Sequence, residues 1–267
     1  MIDCKKLAQD IKERCKAKVK PGTYLKIIQV EGDEASNAYT RGKRKDCEEI
    51  GLGCEHVLLP NNSDFINVRS EIALGNMDRN CVGIILQLPL PKHLEPLKDD
   101  LISTIVPEKD VDGFLPDSPF EPCTPAGIIE ILKSVVPDIA GKHCVVIGRS
   151  KLVGYPTFEM LNKLNATVTL CNSHTPYEVL RRECLYADVV ISATGVPDLI
   201  TEDHVFPETI VIDAGISRGA DGKLCGDCSK ELYDYVDNIT PVPGGVGLMT
   251  RAMLMQNCVG GKYESEK

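Results

Sequence analysis

HisCysValValIleGlyArgSerLysLeuValGlyTyrPro, residues 143–156, is the stretch from which the fold can be read. Residues 143–147 form a short apolar run with β-branched side chains, the pattern of a buried strand. Gly148 ends the run, and Pro156 suits the first turn of a helix continuing through Phe158, Leu161 and Leu164. Strand, glycine turn and helix N-terminus together make an anion site, because backbone N–H groups and the helix dipole converge there. The spacing is not G-x-G-x-x-G, so a tight βα turn without a ligand is the plain alternative. Three more strand candidates follow at 166–170, 188–193 and 209–214, with turn residues between them. The second half therefore predicts a Rossmann-like parallel sheet.

The first half has the same rhythm. Leu7, Ile11 and Cys15 recur at helical spacing, and TyrLeuLysIleIleGlnVal (24–30) reads as a buried strand. A helix is expected from Ser36 to Ile50 before Gly51, then a strand at His56–Leu59 and a helix opened by Ser63. A strand at Cys81–Leu88 and a helix after Pro91 complete the series. Residues 113–122, with Pro116, Pro119 and Pro122, read as a boundary. Beyond it Thr124 looks like an N-cap with Pro125 at N1. The expected fold class is α/β, with two α/β domains.

Composition narrows the function classes. The 267 residues carry a net charge of -9, which argues against a general nucleic-acid or anionic-membrane surface. The longest apolar stretch, Val82–Leu90, is broken by Gln87 and Pro89 and falls far short of the roughly 20 residues of a membrane helix. A cytoplasmic location is expected, since the start has no secretory h-region. The twelve cysteines are scattered and read as reduced thiols, mostly small core residues. Cys225-Gly-Asp-Cys228 is the one sharp pair, a redox dithiol or half a zinc site with His204 nearest; the plain reading, no metal, is preferred.

Two regions carry candidate chemistry. At the end of the second strand of the Rossmann-like half, where an NAD site places an Asp or Glu, the chain has Cys171, Asn172 and Ser173. With Arg149 just after the turn glycine, this favours NADP over NAD: a guanidinium and a hydroxyl would meet the 2′-phosphate. Arg149 as a solvated surface charge is the alternative. On the 36–50 helix, Ser36, Tyr39, Lys43 and Cys47 share one face. An aromatic beside a snorkelling lysine is common on amphipathic helices, so this pair alone is weak. Gln87 is sharper, a polar residue in an apolar strand near its C-terminal end, where open α/β sheets bind ligands. Asp110 and Asp112 offer carboxylates at a turn, or merely turn and capping chemistry.

Together these stretches resemble the methylenetetrahydrofolate dehydrogenase/methenyltetrahydrofolate cyclohydrolase family over essentially the whole chain. The resemblance rests on 35–43 (AlaSerAsnAlaTyrThrArgGlyLys), 87–91 (GlnLeuProLeuPro), 107–113 (ProGluLysAspValAspGly), 122–127 (ProCysThrProAlaGly), 148–156 and 240–247 (ThrProValProGlyGlyValGly). It implies NADP-dependent oxidation of 5,10-methylenetetrahydrofolate to the methenyl compound and hydrolysis of that to 10-formyltetrahydrofolate. Lys43 would be the central catalytic group, Tyr39 would pack on the folate, Gln87 would tune the lysine and Asp112 would hold the pterin.

The same resemblance assigns Gly148, Arg149, Ser150, Ser173 and Ile216 to NADP. Pro243, Gly244 and Gly245 would belong to a substrate-side loop lining a cleft between the domains. It also implies a folate-binding, catalytic domain over 1–120 joined by a C-terminal helix at 248–267, an NADP-binding domain over 121–247, and a homodimer acting on polyglutamylated folates. Cys225 and Cys228 resemble apolar positions around Gly226-Asp227. Two departures stand out: residues 113–122 are shorter than in most relatives, and Leu248 replaces a usual proline. The short segment leaves a dehydrogenase with weak or absent cyclohydrolase activity as the alternative.

Overall fold

The computed structural model describes residues 1–32, 34–219 and 222–260. In chain order its principal elements are α1 (Cys4–Lys16), β1 (Tyr24–Val30), α2 (Glu34–Ile50), β2 (Gly53–Leu59), α3 (Phe65–Met77), β3 (Cys81–Leu86), α4 (Lys98–Ile102), α5 (Cys123–Val135), β4 (His143–Ile147) and α6 (Gly154–Lys163). There follow β5 (Thr167–Cys171), α7 (Tyr177–Leu185), β6 (Val189–Ser192), β7 (Ile210–Asp213), β8 (Ser217–Arg218), β9 (Leu224–Cys225), α8 (Leu232–Tyr235), β10 (Asn238–Ile239) and α9 (Val246–Cys258). The chain packs as two compact units, one of Gln9–Cys123 with the stretch from Arg251, the other of Met1–Ala8 with Thr124–Thr250.

The first unit is built on a parallel sheet of order β2-β1-β3. β1 is central and almost wholly buried, which is why its sequence lacks polar alternation. Its one buried cation, Lys26, is held by Glu71 at 2.9 Å and Glu55 at 3.2 Å. α3 begins one residue later than the Ser63 cap predicts: the Asp64 carboxylate accepts the Asn67 N–H at 2.9 Å, and the Asn67 side chain accepts the Asp64 N–H at 3.0 Å. After Pro91 the expected helix is only a 3₁₀ turn, Glu95–Leu97, followed by the five-residue α4.

The second unit holds a parallel five-stranded sheet of order β10-β7-β6-β4-β5. The order reverses at β4, whose neighbours β5 and β6 lead away in opposite directions. This is the switch point at which open sheets leave a crevice beyond the strand C-termini. Its core includes Val145, Ile147, Val190, Val211 and Ile239. Thr124 does not cap α5, which starts at Cys123; its hydroxyl instead pairs with that of Thr250 at 3.0 Å. Residues 261–267 of the expected C-terminal helix lie outside the described residues.

Candidate functional site

In the first unit the strand end after β3 and one face of α2 converge. The Gln87 N–H bonds to the Ile28 carbonyl at 2.8 Å, continuing the β3 pairing by one residue. The Gln87 amide is oriented by its Nε2, which donates to the Leu88 carbonyl at 2.7 Å. That leaves Oε1 to accept from Lys43 Nζ at 3.1 Å. The Ser36 hydroxyl also donates to the Leu88 carbonyl, at 3.2 Å. Both Lys43 and Gln87 are buried, 5% and 7% exposed. A buried ammonium is costly unless it is compensated. Here the Gln87 oxygen and the Tyr39 ring, whose centroid lies 5.2 Å from Nζ, surround it.

Asp110 and Asp112 differ in their surroundings. The buried Asp110 serves the turn: its carboxylate accepts the Leu115 N–H at 2.7 Å and its carbonyl accepts Gly113 N–H at 3.0 Å and the Ser118 hydroxyl at 3.1 Å. Asp112 is partly buried and lies within the field of the Lys43 charge. Burial pushes its carboxyl above the ordinary value, and the Lys43 charge pulls it back. The short 113–122 segment is closed at its base, where the Asp112 carbonyl accepts the Cys123 N–H at 3.3 Å.

Sequence reading missed Asn257. From α9 its buried amide donates to the Val111 carbonyl at 2.9 Å and lies 3.5 Å from both the Glu121 carbonyl and Cys123 Sγ. It therefore ties together the two ends of the segment carrying Asp112. The signal was available: two amides, Gln256 and Asn257, in the otherwise apolar run MetLeuMetGlnAsnCysVal (253–259) are the same kind of anomaly that singled out Gln87.

In the second unit Gly148 leaves β4 at φ +108°, and a Cβ there would sit 2.4 Å from the Ala193 carbonyl, so only glycine fits between the β4 and β6 ends. The start of α6 differs from the simple anion site expected. Ser150 Oγ accepts the N–H groups of Val153 and Gly154 at 3.2 and 3.4 Å, so it occupies donors that were expected to face a pyrophosphate. Arg149 and Ser150 are exposed at this turn. Ser173 is exposed after β5 on a turn in which the Asn172 side chain accepts the His174 N–H at 3.0 Å and Thr175 Oγ1 accepts the Asn172 N–H at 3.0 Å. Ile216, 59% exposed, follows β7. Pro243 and Gly244 are exposed and Gly245 is buried, on the loop entering α9 within this unit. The turns thus fit a dinucleotide at the C-terminal edge of the sheet.

Cys228 is buried with Ile200, Val205 and Leu232, while Cys225 is half-buried with Ser217 Oγ 3.3 Å away. His204 Nδ1 accepts the Thr201 N–H at 3.3 Å, capping a 3₁₀ turn. Among the described residues no three His, Cys, Asp or Glu side chains converge as metal ligands.

Comparison with known proteins matches residues 2–112 to the tetrahydrofolate dehydrogenase/cyclohydrolase catalytic domain and residues 122–265 to the NAD(P)-binding domain of the same enzymes. The chain belongs to the tetrahydrofolate dehydrogenase/cyclohydrolase family. It is 44% identical to the bifunctional protein FolD of Agathobacter rectalis, with 97% of each chain covered. The crystal structure of the bifunctional methylenetetrahydrofolate dehydrogenase/cyclohydrolase of Campylobacter jejuni superposes with a TM-score of 0.90 at 37% identity, covering 97% of both chains. The Trypanosoma brucei dehydrogenase-cyclohydrolase, solved with NADP and an inhibitor, gives a TM-score of 0.90 at 31% identity over 97% of this chain and 95% of that one. This family member is a methylenetetrahydrofolate dehydrogenase and methenyltetrahydrofolate cyclohydrolase.

Proposed function

We propose that the Lys43 site carries the folate chemistry of both steps and that the dinucleotide used is NADP. The observation that carries the first part is the buried Lys43 Nζ, held by Gln87 Oε1 at 3.1 Å beside Tyr39 and within the field of Asp112. A bound dinucleotide would supply the acceptor for the hydride that leaves the carbon bridging N5 and N10. The chain's own task in that step is orientation, for which Tyr39 supplies a ring face and Asp112 an acceptor for the pterin. Hydrolysis of the methenyl cation needs a group to take or relay a proton from water, and Lys43, oriented by Gln87, is that group.

Lys43→Met retains the length and apolar stem but deletes the nitrogen. Cyclohydrolase turnover, followed as decay of purified methenyltetrahydrofolate, should fall on the order of a hundredfold or more, and dehydrogenase turnover much less. Equal losses in the two assays would remove the lysine from the proton step.

For the dinucleotide, Gly148, Arg149, Ser150, Ser173 and Ile216 are the contacts proposed. Ser150 Oγ accepts two N–H groups and keeps its own proton to donate to a phosphate oxygen. Asn172, Ser173 and His174 bring no carboxylate to the end of β5, and Arg149 supplies a guanidinium, so a 2′-phosphate is favoured. The Trypanosoma relative, solved with NADP, supports the same choice. Arg149→Ala should raise the KM for NADP far more than that for NAD, and a wild type preferring NAD would overturn the assignment. Pro243, Gly244 and Gly245 on the substrate side, polyglutamylated substrates and a homodimer complete the reading; light scattering tests the last.

A further inference from the structure

The Cys-Gly-Asp-Cys segment stands out in the sequence for its thiols, yet its structural connections run through the two residues between them. Asp213, at the end of β7, accepts the N–H groups of Asp227 at 3.0 Å and Cys228 at 2.9 Å, docking the segment on the strand. It also accepts the Gly215 N–H at 3.0 Å. A Cβ at Gly226 would lie 2.0 Å from the Asp213 carboxylate, so only glycine permits this approach. Thus docked, the wholly buried Asp227 points back to the end of β6. Its Oδ2 accepts Ser192 Oγ at 2.7 Å, Thr194 N–H at 2.8 Å and Thr194 Oγ1 at 2.9 Å. Its Oδ1 has no hydrogen-bond partner among the described residues and abuts Gly215, where a Cβ would lie 2.0 Å away.

One carboxylate therefore sets the spacing between the turn after β6 (Ala193-Thr194-Gly195) and the turn after β7 (Gly215-Ile216). These turns lie on the side of β4 opposite β5. If the phosphates sit at the β4–α6 turn and the adenosine end at Ser173 beyond β5, the other half of the dinucleotide extends over β6 and β7. We propose that Asp227 is a positioning residue for the nicotinamide half of the dinucleotide, acting through Thr194 and Gly215. The inference rests on the dinucleotide reading given above.

The test uses the purified full chain with whichever dinucleotide the wild type turns over, and the matching adenosine diphosphate fragment, with or without the 2′-phosphate. Asp227→Ala should lower dehydrogenase kcat at saturating substrates at least tenfold while changing fragment affinity less than twofold. Asp227→Asn keeps an acceptor oxygen for Ser192 and Thr194 and should stay within about threefold of wild type. Should the alanine variant fail to fold, Ser192→Ala combined with Thr194→Val removes two of the three donors and should reproduce the same split. Unchanged kcat in these variants overturns the proposal. So does a parallel loss of kcat and fragment binding, which is a general structural defect, or an asparagine variant as impaired as alanine, which makes the charge and not the acceptor decisive. A wild type without dehydrogenase activity overturns the dinucleotide reading itself, a result distinct from an active wild type with indifferent variants.

Discussion

Asp112 has the most informative titration in the folate site. Its carboxyl is raised by burial, and the Lys43 charge only partly opposes that shift. An unperturbed aspartate titrates near pH 4, so Asp112 takes up its proton above that value as the pH falls. Protonation removes the anionic acceptor proposed for the pterin. The acid limb of kcat/KM for methylenetetrahydrofolate, which reports groups of the free enzyme, should therefore lie above the ordinary carboxylate range. Asp112→Asn should flatten that limb and raise the folate KM; a limb that persists unchanged in the variant would belong to another group. The sign for stability follows from the same shift. A carboxyl with a raised folded pKa contributes stability below its unfolded pKa and loses that contribution as pH rises through the folded value. The asparagine variant should thus be no less stable than wild type at neutral pH. At this scale the sequence was legible where a residue broke its surroundings, as Gln87 does in an apolar strand. It was ambiguous between Asp110 and Asp112, because two carboxylates two residues apart in a turn differ only in what the folded chain sets against them.

Among the elements, the long strands and helices were read nearly to their ends, because β1, β4, β6 and β7 are mostly apolar and β5 alternates threonine with apolar residues, with turn residues between them. The departures have local causes. Asp64 displaced Ser63 as the cap of α3 because its carboxylate completes a reciprocal box with Asn67. β10 has two residues, Asn238 and Ile239, and joins the sheet through its pairing with β7, too little pattern for periodicity to detect. α9 carries the element-scale prediction. Asn257 donates to the Val111 carbonyl beside Asp112, and Asn257→Ala would leave that carbonyl only the weak Cys123 thiol donor at 3.2 Å, at about 1 kcal/mol. For a chain of this size that corresponds to a fall in Tm of a few degrees, measurable by calorimetry. The folate KM should rise severalfold while the NADP KM stays within twofold. If the two KM values rise together, Asn257 supports the protein generally and not the Asp112 segment.

Considering the molecule as a whole, the cysteine count is its most unusual property, and the structure sorts the thiols by reactivity. Ten of the twelve are buried, and only Cys54 and Cys225 are half-buried. Burial pushes the Cys4 thiol up to about 11 and those of Cys144 and Cys184 up to about 12, so near pH 8 almost none of their thiolate forms. Cys54, on edge strand β2, moves the other way: its contact with the Cys47 thiol and the nearby Arg44 and Lys43 charges lower its value. Exposure and thiolate fraction coincide at that residue. Titration of the native protein with a chromogenic disulfide at pH 8 should show one fast thiol, a slower one at Cys225, and ten that react only after guanidinium unfolding. Cys54→Ser should abolish the fast phase, whereas Val at both 225 and 228 should remove only the slower one and retain turnover. Loss of turnover with the fold intact would mean that the Cys225 and Cys228 thiols act in the chemistry. Three or more fast thiols, or a fast phase that survives Cys54→Ser, would mean that the packing around the buried cysteines opens on the timescale of the reagent.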